Sequence, residues 1–302
     1  MAPLTVGAAA LEEVVVTAQK REQSLQDVST AVTSISSDRL TSARIDNLED
    51  LQFIAPSITL GNDFNMAKVF IRGVGANTST TGSETGVAMH VDGVFIGRAE
   101  AQMTSLFDLE RVEVLRGPQG SLYGRNAVGG SINLITAKPT HEVEGYGRVT
   151  VGNYNRLTTE GAIGGAITDR ILARAAFKTE DRGGFGVNPV TGNDVDDLNR
   201  KMARIHLQFL PNDDWDFMLT GEWYNQDDAS RALKWRRGAF PGVRRLRAGA
   251  LQPNGVPSHA VNPRDLASEV DPATYTDTWS ISGHINWRVN DEITIKNITN
   301  YR

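Results

Sequence analysis

The 302-residue chain has no cysteine. That excludes a disulfide framework, thiolate zinc sites, iron–sulfur ligation and a cysteine nucleophile. It has no run of about 18 apolar residues, so no transmembrane helix is available. Neither sign of charge dominates: 31 basic residues stand against 36 acidic ones, a net charge of −5. A dedicated nucleic-acid binder would be basic overall, so no nucleic-acid partner is expected. Catalytic signatures are missing too. His90, His141, His206, His259 and His284 show no metal-ligand spacing. No serine sits in a Gly-x-Ser-x-Gly elbow. Gly124–Ser131 has glycines at a P-loop-like distance, but Gly130 stands where the phosphate-binding lysine belongs, and Gly73-Val74-Gly75 lacks the third glycine of a dinucleotide loop. No enzyme activity, metal or cofactor is expected.

What is present is a folding composition, 40% hydrophobic and 22% charged, with 29 glycines that favour β structure and turns. Met1–Ala10 ends in small residues, like the cleavage end of a secretory signal, but lacks a basic start and a full apolar region. Residues 1–11 read as a clipped signal remnant or a flexible terminus. An exported chain without cysteine suits a bacterial envelope protein. Val14, Val15, Val16 and Thr17 favour an extended strand, with acidic residues before it and basic ones after. Such a segment can add to an exposed edge on another protein, or form the first strand of its own domain.

Residues 24–139 read as a small α+β domain. Ala31–Ser36 alternates weakly as a short strand. Leu40, Ile45, Leu48 and Leu51 recur at roughly helical spacing until Pro56, which predicts a helix. Val69–Gly73 is a short strand meeting glycine, and 87–96 reads as two short strands around Asp92-Gly93. Leu106–Leu109 suggests a short helix or turn. Strands follow at Arg111–Leu115 and Ser131–Thr136, and the loops are long for so small a core.

From Glu144 the pattern changes to period two. Leu157 and Ile163, Ala175 and Phe177, Ile205 and Leu207, Trp215 and Leu219, Trp279 and Ile281 are odd-numbered and apolar; Glu160, Arg174, Arg204, Glu222 and His284 are even-numbered and polar. Seven strands are expected, near 144–152, 156–167, 171–181, 200–210, 215–226, 275–289 and 292–302. Each is long enough to cross a bilayer at a tilt. Tryptophans sit at the ends of the apolar faces, where interfacial girdles place them. Connections alternate between tight and long, the pattern of an outer-membrane barrel rather than of a soluble sandwich. Seven is odd, and open strand edges are costly in lipid, so the chain is expected to be part of a larger barrel.

These residues resemble the TonB-dependent outer-membrane receptors. Glu13, Val14, Val15, Val16, Thr17 and Ala18 resemble the box that TonB, in the inner-membrane energising complex, pulls on. Val69–Gly73, Val91–Phe95, Glu110–Pro118 and Gln119–Asn133 resemble the plug signatures. The resemblance implies residues 12–23 as box and linker, 24–139 as plug, and 144–302 as about seven of 22 antiparallel transmembrane barrel strands. It implies energised import of a scarce solute across the outer membrane, a ferric siderophore first, then cobalamin, haem or an oligosaccharide. Glu110, Glu113 and Arg116 could pair with lumen-facing charges such as Arg148, Arg174, Arg204, Glu222 and Arg288 and latch the plug. A soluble periplasmic binding or signalling module built on the plug, and a passive porin, are the rival readings.

Between the fifth and sixth strands, Arg231, Lys234, Arg236, Arg237, Arg244, Arg245 and Arg247 carry seven positive charges with no acidic residue among them, interleaved with Trp235 and Phe240. Two roles fit: contact with lipid and anionic lipopolysaccharide at the outer surface, or an electrostatic funnel that captures an anionic iron chelate.

Overall fold

The structure, a computed structural model, describes residues 15–17, 20, 21, 23–63, 66–77, 84–102, 106–229, 264–266 and 268–302. The chain forms two compact units, Met1–Met103 with Leu109–Thr136, and Thr104–Asp108 with Ala137–Arg302.

In the first unit, β1 (Val15–Val16) pairs antiparallel with β2 (Gln23–Ser24). Then come β3 (Val32–Ser36), α1 (Ser37–Ser42), a 3-10 turn at Leu48–Phe53, β4 (Ile58–Asp63), β5 (Met66–Ile71), β6 (Val74–Gly75), β7 (Val87–Val91), β8 (Val94–Phe95), β9 (Leu109–Arg116), α2 (Gly120–Tyr123) and β10 (Gly130–Thr136). β4, β5 and β6 form one small sheet. The other runs β3-β9-β10-β7-β8, with β10 and β7 parallel and all other neighbours antiparallel. The two sequence motifs ending in glycine are tight hairpin turns. Arg72-Gly73 and Asp92-Gly93 both have positive φ at both residues, the geometry of a type I′ turn. The Asp92 carboxylate is held by the Thr136 N–H and hydroxyl, which fixes the second turn to the end of β10.

The single helix expected from Leu40 to Leu51 is two pieces. Ser36 caps α1 by accepting from the Arg39 N–H, and Arg44 breaks the helix by adopting φ of 53°. The Asp50 carboxylate then accepts from the Asn47 N–H at the start of the 3-10 turn. Leu40, Ile45, Leu48 and Leu51 are all buried, so the pattern marked the inward face and overstated the helix. The five-residue step from Leu40 to Ile45 is what no continuous helix accommodates on one face. Leu106–Leu109 starts no helix either; it bends at Asp108 and enters β9 at Leu109.

The second unit holds seven long strands: β11 (Glu144–Gly152), β12 (Arg156–Thr168), β13 (Ile171–Arg182), β16 (Leu198–Asn212), β17 (Trp215–Asp228), β18 (Thr274–Arg288) and β19 (Thr294–Tyr301). Each pairs antiparallel with the next in chain order. A small hairpin, β14 (Gly186–Val187) and β15 (Asp194–Val195), rises from the connection between β13 and β16 and had no signal in the sequence pattern.

Burial in this sheet is inverted. Ile163, Phe177, Ile205, Leu219, Trp279 and Ile281 are exposed, while Glu160, Arg174, Lys178, Glu180, Arg204 and His206 are buried. Water would not sort side chains this way; hydrocarbon would. The aromatics fall in two bands. Trp215 stacks on its cross-strand partner Trp287 at 4.9 Å, and Trp223 pairs with Trp279. In each strand the two tryptophans are separated by a rise of about 26 Å, or about 20 Å along the membrane normal at a tilt of ~40°. That approaches the apolar thickness of an outer-membrane wall. Leu219, midway between Trp215 and Trp223, is expected to lie near the bilayer centre. Leu219→Arg should destabilise the lipid-inserted protein by about 2–4 kcal/mol, read from urea titrations in vesicles. A change below ~0.5 kcal/mol would place this face in water.

Candidate functional site

Among the described residues, three places concentrate buried polar contacts. The first is the N-terminal segment. Val16 is fully buried against Leu115, with Leu25, Val28, Val32 and Tyr123 around the pair. The Thr17 N–H donates to Glu113 Oε1 at 2.8 Å, and the Thr17 hydroxyl lies 3.1 and 3.2 Å from the two carboxylate oxygens. Arg111 Nε reaches the same carboxylate at 2.8 Å. The Lys20 ammonium lies 5.5 Å from the centre of the Tyr123 ring. Of the six residues expected to couple to a partner, Val16 and Thr17 are thus seated on the five-stranded sheet, and exposed Val15 pairs with Ser24; Glu13, Val14 and Ala18 lie outside the described residues.

The three expected latch residues make contacts inside their own unit. Glu110 and Glu113 both pair with Arg111, and Arg116 donates to the Thr33 hydroxyl at 2.7 Å. Beside Glu113 runs a buried polar chain that the sequence reading missed. His90 Nδ1 lies 3.2 Å from the Ser131 hydroxyl, Ser131 donates to Asn133, and the Asn133 amide donates to the Tyr123 hydroxyl. Burial, with the Lys20 charge adding to it, lowers the His90 pKa to about 4. Burial also raises the Tyr123 hydroxyl pKa.

The second place is on the strand unit, where three consecutive residues are gripped by three wall cations. Arg174 holds the Asp108 carboxylate with two bonds, Nε at 2.9 Å and Nη2 at 2.6 Å. Lys178 Nζ donates to the Leu106 carbonyl at 3.2 Å, and Arg204 Nη1 to the Phe107 carbonyl at 3.1 Å. The Arg204 guanidinium also lies over the Phe107 ring, 4.3 Å from its centre. The Phe107 ring joins Ala162, Ala176, Met202 and Tyr224 in a small apolar cluster. Each cation is balanced locally: Arg174 by Glu144, Lys178 by Glu180 at 3.5 Å and Arg204 by Glu222 at 2.8 Å. Asp108 carries φ of 46°, a conformation held by this grip and by the Ala137 N–H on its carbonyl. The even-numbered positions of Arg174 and Arg204 were legible as inward-facing; their targets, Asp108 and Phe107, were not.

At the long-connection end, buried Asn188 donates to the Ser268 carbonyl and to Asp271, and accepts from the Ser268 N–H. Thr191, Asn193 and Asn188 together hold the exposed Asp271 carboxyl below its usual pKa. Arg231, Lys234, Trp235, Arg236, Arg237, Arg244, Arg245 and Arg247 lie outside the described residues. Among the described residues no group of histidine and acidic side chains could hold a metal ion.

Residues 24–131 match the TonB-dependent receptor plug domain. The chain belongs to the TonB-dependent receptors. It is 30% identical to the pesticin receptor of Yersinia pestis over 205 residues, covering 66% of this chain and 30% of that protein. It is 28% identical to the ferripyoverdine receptor of Pseudomonas aeruginosa over 216 residues, covering 70% of this chain and 24% of that one. The chain therefore spans about a quarter to a third of these relatives' length. The crystal structure of the ferric yersiniabactin uptake receptor FyuA from Yersinia pestis superposes with a TM-score of 0.76 at 21% identity, over 90% of this chain and 40% of that one. In TonB-dependent receptor terms the first unit is the plug and the seven strands are outer-membrane barrel strands.

Two outcomes follow from these contacts. Arg174 and Asp108 are 6% and 1% exposed, so Asp108→Ala leaves a buried guanidinium with Glu144 as its remaining carboxylate and should cost about 3 kcal/mol, the lower end for breaking a buried pair. Adding Arg174→Met should recover most of it in chemical denaturation. If the double variant is no better than the single, the pair is not the source. His90 stays neutral in the plug and charges more readily when unfolded, so its contribution is complete above pH ~6.5 and is lost as pH falls towards 4. The parent plug should lose about 2–3 kcal/mol more than His90→Gln between pH 7 and 4.5. Parallel pH profiles of the two would contradict a buried neutral His90.

Proposed function

We propose that this chain supplies the plug and barrel strands of a receptor that imports a scarce solute, a ferric siderophore first, across the outer membrane with energy delivered by TonB. The observation that carries the reading is the pairing of two features in one chain: an extended N-terminal segment seated on the plug, and a wall whose apolar residues face outward. A passive porin needs no such segment, and a soluble module needs no outward apolar wall. The relative named for ferripyoverdine supports a receptor for iron chelates. Substrate binding is proposed to involve the basic stretch from Arg231 to Arg247, where arginine suits bidentate capture of carboxylate and Trp235 could stack on an aromatic chelate. The same stretch could also meet lipopolysaccharide.

The coupling segment, Glu13–Ala18, is proposed to work by strand addition, with backbone pairing rather than side-chain chemistry transmitting the pull. Val15→Pro removes a backbone donor, whereas Val15→Ala keeps it. In the full-length receptor, the proline variant should lower energised uptake of a ferric siderophore at least about tenfold, with equilibrium binding of the chelate unchanged; the alanine variant should stay near the parent. Equal losses in the two variants would refute strand addition, and uptake that persists without TonB would refute the energised reading.

A further inference from the structure

The main plug sheet has two chemically different faces. Residues in register across its five strands share a face. One row reads Ile35, Val112, Leu134, Val91, Val94 and is apolar throughout. The adjacent row, on the opposite face, reads Ser34, Glu113, Asn133, His90, Phe95. Four of its five side chains carry polar groups, and Glu113, Asn133 and His90 are buried. The segment that holds β1 and β2 meets this face with Val16 on Leu115 and Thr17 on Glu113, while Lys20 lies against Tyr123, which itself contacts His90 and Asn133.

An apolar face would lose its hydrophobic stabilisation if its cover left. A face of carboxylate, amide, hydroxyl and imidazole can be hydrated instead, because each group that loses a protein partner gains water. The N-terminal segment is therefore seated where it can depart without unfolding the sheet beneath it. Two contacts hold it: Val16 packed on Leu115, and one carboxylate, since Glu113 takes both donors of Thr17 and is itself fixed by Arg111.

We propose that Glu113 is a positioning residue for energy coupling: it retains the coupling segment on the plug, and a partner strand engages only after Thr17 leaves it. This rests on the strand-addition reading above. Seating and engagement compete for the same short segment, so the apparent affinity of the partner is reduced by the fraction of molecules in which the segment is free.

The absence of native cysteine from this chain makes the seat directly measurable. Val16→Cys in the full-length receptor, without substrate or partner, reports release through its rate of maleimide labelling. Glu113→Ala should raise that rate about tenfold, as loss of hydrogen bonds to a charged group implies. Thr17→Val, which leaves the sheet intact, should raise it several-fold. Val114→Ala, on the apolar face, should leave it near the parent and so controls for general loosening. Binding of the purified periplasmic domain of TonB should tighten in Glu113→Ala by the same factor as labelling accelerates. Unchanged labelling in both Glu113→Ala and Thr17→Val would overturn the proposal. Faster labelling with unchanged partner affinity would also overturn it, leaving Glu113 a purely structural group. No partner binding by any variant, the parent included, would instead overturn the coupling reading and this role with it, whatever the labelling rates.

Discussion

A backbone amide in hydrocarbon has no water to bond, so a wall in lipid must pair every strand with a neighbour. The seven-strand meander follows from that constraint, and so does its side-chain order. With all backbone groups directed along the sheet, residues can only point outward or inward, and their chemistry must alternate with the pleat. Outward positions take isoleucine, leucine and tryptophan. Inward positions can then carry Arg174, Lys178 and Arg204, charges that would be prohibitively costly on the other face.

Those inward cations have a specific task in the strand unit. Each donates to one of three consecutive residues, Leu106, Phe107 and Asp108, and each is balanced by a nearby carboxylate. The fit is one of geometry more than of charge, since two of the three acceptors are backbone carbonyls. The bidentate Arg174–Asp108 pair adds orientation, which a lysine at 174 would not supply. In the plug, polarity is used differently. Glu113 and the row beside it form a buried polar surface whose partner is the chain's own N-terminal segment. The same physical rule operates in both places: a buried polar group must be answered, and its answer fixes which segment sits where.

The strands were legible in the sequence because period two is local. Every wall strand could be counted from parity alone, to within a few residues at its ends. The turn at Asp92-Gly93 was legible for the same reason, since a two-residue turn carries its own signal; at Arg72-Gly73 the sequence showed only a strand meeting glycine. Ile298 is even-numbered yet apolar; its register partner is His284, on the inward face, so the strand alternates and only its chemistry is mixed. The helix from Leu40 to Leu51 was over-read because Arg44 takes a left-handed conformation that arginine does not advertise. The partners of Asp108 and Glu113 were illegible because they depend on long-range contacts: Arg174 lies 66 residues from Asp108, and Thr17 lies 96 from Glu113. The polar row from Ser34 to Phe95 needs the register of five strands, including a parallel pair, before it exists at all. The candidate site was therefore visible as an extended segment and invisible as a seat.

Everything in the wall turns on which side of β17 meets lipid. Nitroxide labels placed singly at each position from Asp216 to Tyr224 in the membrane-inserted receptor measure this directly, through their accessibility to oxygen and to a water-soluble nickel chelate. Odd-numbered positions should be reached by oxygen, with a maximum near Leu219, and shielded from the nickel chelate; even-numbered positions should show low oxygen accessibility. Nickel accessibility at Phe217, Leu219 and Gly221 would put that face in water and contradict the membrane wall.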